Sequence, residues 1–193
     1  MTKRPFLART YNLVSLGSAV SRIALYQKDA REPAAQPADL RCAQNFSYQV
    51  FKARNELLDY FRSARASLAK NGLFVIDHYG GYDAVEERVE ERVVDGSFTY
   101  VWDQQTYEPV TGHQKCAIHF RFDDRSELNE AFSYDWRYWS LPELRDLLFE
   151  AGFPRVDVYF EQFDEDGYGN GTFEKDAKGP IGASWIAYLV AVR

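Results

Sequence analysis

Gly72-Leu73-Phe74-Val75-Ile76-Asp77 decides how this chain folds. Four apolar residues in a row, closed by an acid, describe a strand covered on both faces, as strands of a parallel sheet are. Upstream, Val50, Leu57, Phe61, Ala64 and Leu68 recur at helical spacing, which predicts a long amphipathic helix ended by Asn71-Gly72. Leu40 to Ala43 reads as another buried strand before that helix. Strand, helix, strand is the unit of a parallel sheet, because the crossover helix returns the chain to the same end. Further upstream, Ile23-Ala24-Leu25-Tyr26 is a short strand candidate that runs into a turn with Asp29, and Pro33 and Pro37 mark a loop.

Downstream the pattern changes. Val85 to Val94 reads as a short charged helix with a solvated face. Phe98 to Trp102, Cys116 to Phe122 and Glu130 to Trp136 are three strand-like runs, partly alternating as a one-sided antiparallel sheet should. They predict a three-stranded sheet inserted over positions 95–137. Ser140-Leu141-Pro142-Glu143 then opens a helix: Ser140 caps it, Pro142 fits the first turn and Glu143 completes a capping box. Leu141, Leu144, Leu147, Leu148 and Ala151 form its apolar stripe, and Gly152 ends it. Val156 to Phe160 and Trp185 to Val192 are the last two strands, an antiparallel hairpin joined by a loose, acidic, glycine-rich segment.

The 193 residues read as a single α/β domain. Aromatic residues make up 16%, enough to supply both sheet packing and an aromatic-lined pocket. A net charge of -6 argues against a nucleic-acid backbone as partner and favours a small molecule. No apolar run is long enough to span a membrane. Met1 to Arg9 and Leu13 to Val20 faintly resemble a secretion signal, which Ser15, Gly17 and Ser18 interrupt. Cys42 and Cys116 are far apart and read as buried free thiols, consistent with a cytoplasmic protein. His78, His113 and His119 have no ligand spacing, so no metal site is expected. Gly167-Tyr168-Gly169-Asn170-Gly171 precedes no helix and reads as a hairpin loop, not a phosphate loop.

Taken in order, Asp29-Ala30, Asn45-Phe46-Ser47-Tyr48, Gly72 to Asp77 and the helix through Ala151-Gly152-Phe153 resemble the class I S-adenosylmethionine-dependent methyltransferases. The resemblance runs from about Ile23 to Arg193. It implies a Rossmann-like sheet of order 3-2-1-4-5-7-6 whose last strand is antiparallel. Ile23 would begin the third strand, Leu40 the fourth and Leu73 the fifth. The first two strands, with the glycine-rich turn and the acid that holds the ribose, have no counterpart here. The expected fold is therefore a truncated methyltransferase sheet with the inserted sheet as a substrate lid. Open sheet edges left by the missing strands would invite a second copy of the chain.

The resemblance also implies roles. Asp29 would accept a hydrogen bond from the adenine amino group of S-adenosylmethionine, Ala30 would offer its backbone NH, and Asn45 and Phe46 would border the methionine end. On local chemistry alone Asp29 is a turn residue, and Asn45 and Ser47 are helix caps. Tyr48, Trp102, His119, Tyr134, Arg137 and Trp139 are candidates to line an acceptor pocket, with sheet packing the other explanation for each. Arg137, set between Trp136 and Tyr138, can pair with a carboxylate or stack. The sequence assigns no general base and does not name the acceptor. Two functions are expected: methyl transfer to a small molecule, or an inactive methyltransferase-like chain serving as a binding or assembly module.

Overall fold

The computed structural model describes Ala24, residues 26–165, Gly167 and residues 169–193. Ile23 and Leu25 of the expected first strand lie outside the described residues, as does the signal-like start, and Ala24 and Tyr26 are not in a strand. Strand β1 (Ala38–Ala43) runs parallel to β2 (Leu68–Gly80), and helix α1 (Arg54–Ala66) makes the crossover. Strand β9 (Trp185–Val192) lies antiparallel between β2 and β7 (Arg155–Phe163), and β8 (Gly169–Lys175) closes the far side. The order β1-β2-β9-β7 is the 4-5-7-6 half of the expected sheet, and β1 is its terminal strand among the described residues.

Helix α2 (Leu141–Glu150) packs against α1 over this sheet. Leu57, Phe61, Leu144 and Leu148 meet Phe74, Ile76 and Leu189, all buried. Each side chain of this size contributes about 1.5–3 kcal/mol by leaving water. Phe153, just past the end of α2, stacks on Phe74 at 6.0 Å. The expected capping box is present: the Ser140 NH donates to Glu143 Oε2 at 2.8 Å, and the Glu143 NH donates to Ser140 Oγ.

Four expectations need correction. Helix α1 stops at Ala66, and Ser67 turns the chain straight into β2. Leu68 pairs with Ala38, and Asn71-Gly72 is a bulge in β2, with Asn71 left-handed at φ 64°. Buried Leu68 continues the helical spacing by coincidence and is a strand residue. The charged segment before Phe98 is a strand, β3 (Arg88–Val94), preceded by a single turn at Tyr82–Val85. Its charges belong to a sheet edge, where they discourage pairing with other chains. The inserted sheet therefore has four strands in chain order: β3, β4 (Phe98–Glu108), β5 (His113–Phe122) and β6 (Glu127–Arg137). The glycine-rich segment is not wholly loose, since β8 pairs with β7. Cys42 is exposed; only Cys116 is buried, which pushes its thiol up to about 12.

Candidate functional site

A cleft of about 1990 Å³ opens between the carboxyl ends of β1 and β2 and one face of the inserted sheet. Ligands of open α/β sheets collect at that end of the strands.

The floor is polar and buried. Asp77 accepts the backbone NH groups of Asn45 at 2.7 Å and Phe46 at 2.9 Å. Both residues are left-handed, at φ 59° and 53°. Asparagine adopts that conformation readily, whereas for phenylalanine it is strained by about 1–2 kcal/mol. The carboxylate of Asp77 holds the turn in place. Burial raises the Asp77 pKa, against the pull of those two NH bonds. The next turn carries Tyr48, whose hydroxyl lies 2.8 Å from His78 Nδ1. Full burial lowers His78 to about 3 and raises Tyr48, so both are neutral at physiological pH. Tyr138 stacks on the imidazole at 5.8 Å and Trp185 meets its edge at 5.5 Å. Gly80 leaves the room that Trp185 occupies, where any Cβ would strike the indole.

The roof is aromatic. Pairing in the inserted sheet puts Gln104, Cys116 and Tyr134 in one row, and Trp102, Ile118 and Phe132 in the next. Tyr100, Phe120 and Leu128 follow, then Phe98 and Phe122. Side chains alternate between the two faces of a strand, so all of these share one face. Tyr134 lies 4.3 Å from Trp136 and 5.8 Å from Trp102, between ring centres. Phe46 on the floor reaches Trp136 at 6.5 Å and Tyr79 at 4.8 Å.

Amides and an arginine fix the roof to the floor. Gln104 donates to the carbonyls of Asp83 and Glu86 at 2.9 and 2.7 Å. Gln114 accepts from the Tyr79 hydroxyl at 2.8 Å and donates to the Ala84 carbonyl at 3.0 Å. Arg137 donates to the Lys52 carbonyl at 2.9 Å while its guanidinium lies 3.7 Å over the Trp139 ring. Trp139 donates to the Phe51 carbonyl at 3.0 Å, and Lys52 pairs with Asp135.

The candidate residues divide accordingly. Ala30, Asn45, Phe46, Tyr48, Trp102 and Tyr134 line the cleft. Asp29 does not: it is exposed and bonded to Arg31, whose side chain holds its carboxyl down to about 2. Ala30 accepts from Arg41 through its carbonyl at 2.8 Å. His119 faces away from the aromatic side. Its Nδ1 accepts the Glu130 NH at 3.0 Å, and its Nε2 lies 3.4 Å from Asp103. Arg137 is committed to Lys52 and Trp139, and Trp139 is buried in the core. Asp77, His78, Tyr79, Gln104 and Gln114 were not among the candidates. Asp77-His78-Tyr79 directly follows the decisive apolar run at a strand's carboxyl end, a place that could have drawn attention to them.

No family model and no curated protein matches the sequence. Solved structures do match. An S-adenosylmethionine-dependent methyltransferase from Clostridium acetobutylicum matches with a TM-score of 0.61 at 15% identity, over 94% of this chain and 72% of its own. DesVI from Streptomyces venezuelae gives 0.61 at 16%, over 93% and 69%. The chain has the methyltransferase fold. A third match is S-adenosylmethionine-bound CalS10, an amino pentose methyltransferase from Micromonospora echinaspora, at 0.56 and 13%, over 86% of this chain and 63% of CalS10. In methyltransferase terms, β1, β2, β9 and β7 are strands four, five, seven and six, and the inserted sheet separates strand five from the helix that follows it.

Proposed function

We propose that this chain takes part in methyl transfer from S-adenosylmethionine to a small-molecule acceptor held between the floor and the roof. The observation that carries the reading is the Asp77-clamped turn at Asn45-Phe46, set at a strand's carboxyl end opposite an aromatic wall. When bound, S-adenosylmethionine supplies a methyl group on a sulfonium. The rings of Phe46, Tyr79 and Trp136 suit a cation of that kind, since aromatic faces attract positive charge. Asn45 and Phe46 would border the donor's methionine end, and Ala30 its adenine end. Asp29 would have to exchange Arg31 for the adenine amino group.

The chain's own residues align the partners and exclude water, which is most of what an in-line displacement requires. Tyr48 and His78 form a neutral buried pair that ties the turn after Asn45-Phe46 to β2 without a net charge. Trp102 and Tyr134 offer flat contacts to the acceptor. CalS10 and its amino pentose acceptor support a small molecule as the substrate class. Calorimetric titration of the folded protein with S-adenosylhomocysteine tests the reading. Saturable binding at micromolar to millimolar concentration is expected. No heat at millimolar ligand would overturn it and leave the cleft as the binding site of a non-catalytic module.

A further inference from the structure

We propose that Gln114 is a positioning residue for the donor. By holding the Tyr79 ring against Phe46, it sets how strongly the cleft prefers the charged sulfonium of S-adenosylmethionine to the neutral thioether of S-adenosylhomocysteine. This rests on the reading of the cleft floor as a donor site. Three rings line that part of the cleft: Phe46, Tyr79 and Trp136. Phe46 lies 4.8 Å from Tyr79 with ring planes 68° apart, and 6.5 Å from Trp136 with planes 82° apart. A cation is attracted when it sits over a ring face within about 6 Å of the centroid, so the tilt of each ring governs the attraction.

Gln114 bears on two of the three rings. Its side-chain carbonyl accepts from the Tyr79 hydroxyl at 2.8 Å. It also stands directly opposite Trp136 in the β5–β6 ladder, where cross-strand partners share a face. The amide is itself fixed, being buried and donating to the Ala84 carbonyl at 3.0 Å. Burial raises the Tyr79 pKa, so the hydroxyl stays protonated and donates. The Tyr79 ring is thus held at both ends, by its backbone in β2 and by its hydroxyl on the roof.

A second amide shows why that bond sets the tilt. Gln49 follows Tyr48 in the buried turn, and neither its side-chain nitrogen nor its oxygen has a hydrogen-bond partner. It favours ionisation of Tyr79, as Gln114 does, so it lies near the same hydroxyl without a well-formed bond to it. A buried amide left unpaired is costly. With Gln114 removed, Gln49 and the Tyr79 hydroxyl would satisfy each other, and the ring would turn with its hydroxyl.

The test is calorimetric titration of S-adenosylmethionine and S-adenosylhomocysteine against the wild type, Gln114→Met, Gln114→Glu and Tyr79→Phe. Gln114→Met removes both bonds of the amide. Gln114→Glu keeps an acceptor oxygen for the Tyr79 hydroxyl, and Tyr79→Phe keeps the ring and loses the tether. Circular dichroism checks that each variant folds, and Tyr79→Phe decides the matter where Gln114→Met does not. The wild type is expected to bind S-adenosylmethionine about three- to tenfold more tightly than S-adenosylhomocysteine. That preference is expected to fall below about twofold in Gln114→Met and Tyr79→Phe, and to stay within about twofold of the wild type in Gln114→Glu. A merely structural Gln114 would weaken both ligands alike. An unchanged preference in Gln114→Met and Tyr79→Phe, or a wild type without one, would therefore overturn the proposal and leave the donor site standing. Binding of neither ligand by the folded wild type would defeat the donor site and the proposal together.

Discussion

The floor and the roof of the cleft are built on opposite physical terms. On the floor, polar groups are buried and held by named partners: Asp77 by two backbone NH groups, Tyr48 by His78. On the roof, apolar rings are left half-exposed and held mainly by the strand pairing beneath them. A buried polar group costs stability unless its bonds are made, so the floor tolerates few substitutions. An exposed ring costs little to replace, so changes in the roof should alter what binds more than whether the chain folds. Perturbation can break or sharpen this contrast.

The largest effect belongs to the joint between the two walls. Trp139→Ala removes a buried indole and its bond to the Phe51 carbonyl. A loss of about 3–5 kcal/mol is expected in urea unfolding, and a loss under about 1 kcal/mol would show that the joint is dispensable.

Next comes the pH response of the floor. His78 is depressed to about 3 in the folded chain, from an ordinary value of 6.5. Between those values the unfolded chain binds a proton that the folded one refuses. This contribution is therefore intact above pH 6.5 and is lost as pH falls, at up to ~1.4 kcal/mol per pH unit. His78→Leu should flatten the slope between pH 6.5 and 4.5 in pH-dependent urea titrations. An unchanged slope would mean that the imidazole titrates freely in the fold.

Asp77→Asn is a smaller change in the same wall. The amide keeps one acceptor oxygen for the Asn45 and Phe46 NH groups and loses the other. A cost of about 1–3 kcal/mol is expected by thermal unfolding, together with weaker S-adenosylhomocysteine binding. Full stability with full binding would remove the clamp from the account of the floor. The smallest effect is at the surface: Glu150→Gln breaks the exposed pair with Arg54, and no measurable shift in unfolding midpoint is expected.

The same contrast explains what could be read from sequence. Apolar periodicity located the core, because Leu57, Phe61, Leu144 and Leu148 must meet Phe74 and Ile76 whatever else the chain does. It misread Leu68 and Asn71-Gly72, where helical spacing and a helix-ending dipeptide coincide with a strand and its bulge. The charges of Val85 to Val94 misled as well, since a charged run suits a sheet edge as well as a helix face. The candidates Phe46, Tyr48, Trp102 and Tyr134 all face the cleft. Arg137 and Trp139 were singled out for the same chemistry, yet their partners, the Lys52 and Phe51 carbonyls, are more than eighty residues away in the chain. Asp77 was hidden for a related reason. Its partners are backbone NH groups that only the folded turn presents.

Amide hydrogen exchange with and without saturating S-adenosylhomocysteine tests the division of labour between the walls most directly. Slower exchange is expected in the segment from Asn45 to Val50 and at the end of β2, with the outer strands of the inserted sheet unchanged. Protection confined to the inserted sheet, or none at the Asn45-Phe46 turn, would contradict a donor site on the floor.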